Sequence, residues 1–221
     1  MKKTHIKICC ISSIEEAKLA INAGATALGL VGNMPNGPGI ISNELIAEIA
    51  AFTPKHIDTF LLTSETSAEK IIQHYLKVHT TTIQIVDALT QGSYLQIKEA
   101  LPNVKIVQVL HILNELTIHE AVEVSKFVDA ILLDSGNPNL DTKELGGTGR
   151  VHNWEISKEI VNKVNIPVFL AGGLTHENAF QAIKEVNPYG LDLCSGVRTN
   201  GLLDVDKLAA FFRAINKINE F

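Results

Sequence analysis

Residues 130–135 read Ala130-Ile131-Leu132-Leu133-Asp134-Ser135, four apolar residues in a row closed by a carboxylate and a hydroxyl. A run this continuous, with no alternation of polar and apolar positions, predicts a parallel strand buried on both faces. Comparable runs lie at 6–11, 27–31, 58–63, 81–86, 105–112, 167–172 and 190–196. Between and after them, segments near 14–23, 42–52, 67–77, 91–100, 116–126, 153–163, 175–186 and 204–217 carry helical periodicity. Eight strand–helix units in a chain of 221 residues make a minimal (β/α)8 TIM barrel, an α/β fold, as a single domain over 1–221. A doubly wound open sheet is the alternative, but no G-x-G-x-x-G motif accompanies the strands.

Local chemistry marks several helix ends. Ser13-Ile14-Glu15-Glu16 reads as a capping box, and Gly24 stands where a left-handed C-terminal cap belongs. In the last helix Leu208, Phe211, Phe212, Ile215 and Ile218 form one apolar stripe that should pack inward. Composition narrows the function. With 46% apolar residues and a net charge of −5, the chain can fill a core but lacks the basic footprint of a nucleic-acid binder. The three cysteines, Cys9, Cys10 and Cys194, suit neither a disulfide framework nor a zinc site, so no metal is expected. The opening Met1-Lys2-Lys3 resembles a leader's charged start, but the apolar run after it is too short for one. No stretch approaches the roughly 18 apolar residues of a membrane span. A cytoplasmic protein without membrane contact is expected.

In a barrel of this kind, chemistry belongs to the C-terminal ends of the strands. Those positions hold Cys9, the loop Asn33-Met34-Pro35-Asn36-Gly37-Pro38-Gly39, Asp87, His111, Asp134, the loop Gly146-Gly147-Thr148-Gly149-Arg150, Gly172-Gly173, and Asp192 with Cys194-Ser195-Gly196. The pairs Gly172-Gly173 and Ser195-Gly196 let backbone N–H groups approach an anion, at the loops where such barrels bind phosphate; glycines that merely end strands would look the same. Desolvation at the barrel mouth would raise the pKa of Asp134 toward that of a general acid, though a loop-capping Asp fits equally. Cys9 reads either as a reactive thiol or as a small buried hydrophobe. Two-residue alternation points Cys10 to the opposite face, as packing, and puts Cys194 on the face of Asp192.

Lys7-Ile8-Cys9-Cys10-Ile11, Ala23-Gly24-Ala25, Ala27-Leu28-Gly29, Leu132-Leu133-Asp134-Ser135, Gly146-Gly147-Thr148-Gly149, Ala171-Gly172-Gly173-Leu174 and Ser195-Gly196-Val197 occur in this order along nearly the whole chain. Together they resemble phosphoribosylanthranilate isomerase of tryptophan biosynthesis. The resemblance implies an Amadori rearrangement of a small phosphorylated substrate, without cofactor or metal, with Cys9 as general base and Asp134 as general acid. It implies phosphate binding at Gly172, Gly173, Ser195 and Gly196, and a mobile loop carrying Gly147 and Thr148 over the substrate. Lys7, two residues before Cys9, is a cationic neighbour for a thiolate or a partner for Asp192.

Three departures accompany the resemblance. The family's Lys-Ser-x-Arg after strand 2, whose Arg pairs with the anthranilate carboxylate, is replaced by the cation-free loop 33–39. Gln-Leu-His-Gly at strand 4 becomes Gln84-Ile85-Val86-Asp87, and Lys-Ile-Cys-Gly becomes Lys7-Ile8-Cys9-Cys10. Arg198 and His111 are the candidates for a substitute cation, against plainer readings as a solvated loop Arg and a core-edge His. A related isomerase acting on another phosphorylated aminosugar or ketose, or a non-catalytic phosphometabolite-binding barrel, is the competing reading.

Overall fold

The Val-, Ile- and Leu-rich runs assemble into a closed parallel barrel in sequence order, β8 pairing back onto β1. The computed structural model describes residues 4–140 and 143–219. Met1-Lys2-Lys3, weighed above as a leader, and the Ile218 side chain lie outside the described residues. The strands are β1 (His5–Ile8), β2 (Ala27–Val31), β3 (Asp58–Thr63), β4 (Thr82–Ile85), β5 (Lys105–His111), β6 (Ala130–Asp134), β7 (Val168–Leu170) and β8 (Gly190–Leu193). Around them lie α1 (Ile14–Ala23), α2 (Asn43–Phe52), α3 (Ala68–Val78), α4 (Tyr94–Ala100), α5 (Leu116–Val124), α6 (Trp154–Lys163), α7 (Ala179–Val186) and α8 (Val205–Asn219). After β8 come a 3-10 turn (Ser195–Val197) and a short antiparallel pair, β9 (Arg198–Thr199) and β10 (Leu202–Leu203). No helix among the described residues is long and apolar enough to cross a membrane.

Two apolar layers share these strands by alternation. Leu28, Leu30, Ile131, Leu133, Leu191 and Leu193 face the helices, where Leu208, Phe211, Phe212 and Ile215 of α8 also pack. Ala27, Val31, Phe60, Leu62, Leu132 and Phe169 fill the interior, with Phe60 and Phe169 meeting edge to face at 5.9 Å. That parity is what aims chemistry inward. It places Lys7 and Cys9, Gln84, Asp134 and Asp192 on the interior side of β1, β4, β6 and β8, or of the turns that continue them.

The N-terminus of α1 differs from the predicted box. Ser13 Oγ accepts from the Glu16 N–H at 3.1 Å as expected, but Glu16 reaches back one residue further, to Ser12 N at 3.0 Å. Gly24 closes the same helix in the left-handed region, as read from the sequence.

Candidate active site

A cavity enclosing about 710 Å³ of space, part of it open to solvent, lies at the C-terminal mouth of the barrel. Cys9 reaches it from the turn after β1 and Asp134 from the end of β6; Gly147 and Thr148 from the β6–α6 loop; Gly172, Gly173, Ser195 and Gly196 from the loops after β7 and β8. All eight of these sequence-predicted residues therefore converge on one space. Gly172 and Gly173 adopt positive φ (84° and 61°), which turns the chain tightly beneath the mouth. Thr148 is tied to Ser135 through their hydroxyls at 2.7 Å.

The base of the cavity is electrostatically organised. Lys7 is fully buried, with its ammonium 2.8 Å from Asp192 Oδ2 and 5.3 Å from the centre of the Phe60 ring. Burial works against that charge, but Asp192 and the neighbouring thiols outweigh it and hold Lys7 protonated well above its usual range. Gly29 supplies the room: a Cβ there would stand 2.9 Å from Cys9 Sγ and 3.0 Å from Lys7 Nζ. Cys9 consequently sits beside a fixed cation. Hydrogen bonding from Cys10 is the largest influence on the Cys9 thiol. Together with Lys7 it outweighs burial and the charge of Asp192, and it holds Cys9 below the usual thiol range.

Cys10 departs from the sequence reading. Strand β1 ends at Ile8, and Cys10 takes a φ of 63°, so strict alternation no longer applies. Its side chain turns into the same cavity instead of the opposite face, with Sγ 2.9 Å from Cys194 Sγ. The Cys194 thiol and burial keep Cys10 itself protonated. Cys10 can then donate to a Cys9 thiolate while accepting from Cys194. All three cysteines are free thiols.

The two candidates for a substitute cation do not reach the cavity. Arg198 is neither a solvated loop residue nor a ligand-facing one: it is buried, 8% exposed. Its guanidinium binds Glu16 Oε1 at 2.8 Å, the Gly201 carbonyl at 2.9 Å and the Cys9 and Cys10 carbonyls at 3.1 and 2.6 Å. It is a clasp on the turn that carries the two thiols. His111 lies half-buried beside the Val86 carbonyl, Nε2 at 3.2 Å. It faces a second depression lined by Asp87, Asn114, Thr117 and Lys143. Sequence reasoning passed over Gln84, which lines the cavity with its Oε1 buried and unpartnered within the protein. Asp134 Oδ2 and Asp192 Oδ1 share that state. A polar residue inside an otherwise apolar strand, on the interior parity, was the available signal.

A closed parallel barrel whose mouth gathers a thiol, a buried carboxyl and two glycine-rich loops is that of an enzyme of the TIM-barrel class. The family model for N-(5'-phosphoribosyl)anthranilate (PRA) isomerase matches residues 6–214, and the chain belongs to this family. The N-(5'-phosphoribosyl)anthranilate isomerase 2 of Methanosarcina mazei is 38% identical, over 94% of this chain and 92% of its own length. The N-(5'-phosphoribosyl)anthranilate isomerase of Nostoc punctiforme is 36% identical, over 96% and 98%. Among solved structures, phosphoribosyl anthranilate isomerase from Thermotoga maritima superposes with a TM-score of 0.80 at 25% identity, covering 97% of this chain and 99% of that one.

Proposed function

We propose that this chain isomerises N-(5-phosphoribosyl)anthranilate to its amino-deoxyribulose phosphate, the Amadori step of tryptophan biosynthesis. The observation that carries the reading is the meeting of Cys9 and Asp134 in one cavity, with Cys9 held toward thiolate by Cys10 and Lys7. Asp134 donates its proton to the ribose ring oxygen as the C1–O bond opens, and the nitrogen lone pair forms the C1=N iminium. The Cys9 thiolate removes the proton from C2; that C–H pair becomes the C1=C2 double bond and the iminium π pair returns to nitrogen. Tautomerisation of the resulting enol gives the ketose. Phosphate binding at Gly172, Gly173, Ser195 and Gly196 anchors one end of the substrate, and Gly147 and Thr148 cover it. The free thiols suit a reducing, cytoplasmic setting.

The test follows the decay of anthranilate fluorescence with freshly prepared substrate. Cys9→Ser and Asp134→Asn should each lower kcat by about 10²–10⁴-fold, the usual worth of a general acid or base. Turnover unchanged in both variants would overturn the assignment.

A further inference from the structure

The cavity is chemically two-ended. The glycine-rich loops after β7 and β8 form one end; Val31, Met34, Leu62, Val86 and Leu145 form a largely apolar slot at the other, with the neutral amide of Gln84 beside Leu62 in register. With a phosphate at the first end, the substituent on the sugar nitrogen falls into that slot. The described lining residues include no Lys, Arg or His, and the two charged groups among them, Asp134 and Asp192, are both acids. Cations around the cavity are held by acids: Lys7 by Asp192, Arg198 by Glu16, and Arg150, next to the lining residue Gly149, by Glu144.

Backbone packing keeps the slot in that state. Gly39, at the end of the cation-free loop, has φ 74°, and a Cβ there would stand 2.5 Å from the Cβ of Cys10. While position 10 carries a side chain, position 39 has no room for one. A carboxylate carried into the slot would lose water and gain no counter-charge, which is unfavourable unless it stays at the wet rim. Asn36, exposed on that rim and lining the cavity, offers a neutral donor there.

We infer that this isomerase selects its N-substituent by apolar contact and shape, not by charge, and therefore accepts phosphoribosylamines bearing an uncharged aromatic group as readily as the anthranilate compound. The inference rests on the isomerase reading above. A cation-bound carboxylate would be worth about ten- to a hundredfold in binding; a rim carboxylate held by a neutral donor is worth much less.

The test compares kcat/KM for the phosphoribosyl conjugates of anthranilate and of anthranilamide, which keeps the shape and removes the charge. Each is followed by chromatography of the ketose product at about 0.05 and 0.5 M salt, across which screening changes strongly. The expected result is a ratio within about tenfold that salt does not move. A preference for anthranilate above tenfold, or a ratio that falls with salt, overturns the inference and leaves the isomerase reading standing. Turnover of neither conjugate overturns both.

Discussion

At the residue scale, the base is made by its neighbours. Cys9 alone would be a buried thiol with burial opposing its charge. The Cys10 thiol and the Lys7 ammonium reverse that balance, and they do so from two different directions, one along the chain and one from beneath. Cys10→Ala removes the larger influence and leaves Lys7 in place. The Cys9 pKa then rises, and because the thiolate is the working form, the ascending limb of kcat/KM against pH moves to higher pH. A pH–rate profile measures the displacement; a limb that stays where it is in the wild type would show that Lys7 alone sets the base. The role of Cys10 was not legible from alternation, since a two-residue period holds only while the strand lasts and β1 stops before it.

At the scale of elements, the turn from β1 to α1 is held from outside the cavity by the segment after β8. Arg198 binds both carbonyls of the thiol pair, and Glu16 joins the same cluster through Arg198, Ser12 N and the Leu203 N–H at 2.7 Å. Burial alone would raise the Glu16 pKa; Arg198 and the backbone donors overcome it and hold it below the usual carboxylate range. Arg198→Met leaves Glu16 buried without its counter-ion, a loss of about 3–5 kcal/mol by the measure of other broken buried pairs, read as a lower urea midpoint. Activity should fall in the variant that remains folded, through displacement of Cys9, while Arg198→Lys retains charge but not the forked contacts and restores little. Strand and helix positions on either side of this cluster were readable in advance, because apolar runs and cap residues are local signals. The clasp was not: Glu16 and Arg198 are 182 positions apart, and only barrel closure brings them together.

For the whole molecule, closure is the event that creates the site. The β8–β1 seam pairs Lys7 with Asp192 in register, so the cation beneath Cys9 is fixed only when the last strand meets the first. Eight repeated strand–helix units made that closure readable in the sequence, along with the strand ends that carry Cys9, Asp134 and the glycine loops. What the repeat could not show was which polar groups the closed barrel would consume internally, and so Arg198 looked available when it is not. The stability of the closed state carries its own pH signature. His152, at the entry to α6, bonds Ser157 Oγ through Nε2 at 2.8 Å, and its Nδ1 is buried without a protein partner. Burial lowers its pKa to about 4. The folded protein thus keeps His152 neutral where the unfolded chain, titrating near 6.5, already takes a proton. More protons on the unfolded state mean that stability is full above pH 6.5, declines as the pH falls toward 4, and loses up to about 3 kcal/mol from this group over that window. Urea denaturation at a series of pH values checks it. The midpoint of the wild type should drop between pH 6.5 and 4, whereas His152→Gln, with no proton to gain, should flatten that segment of the curve and leave the loss from Glu16 at more acid pH, where protonation of that carboxylate dissolves the clasp. An equal drop in wild type and variant would place the acid sensitivity elsewhere in the barrel.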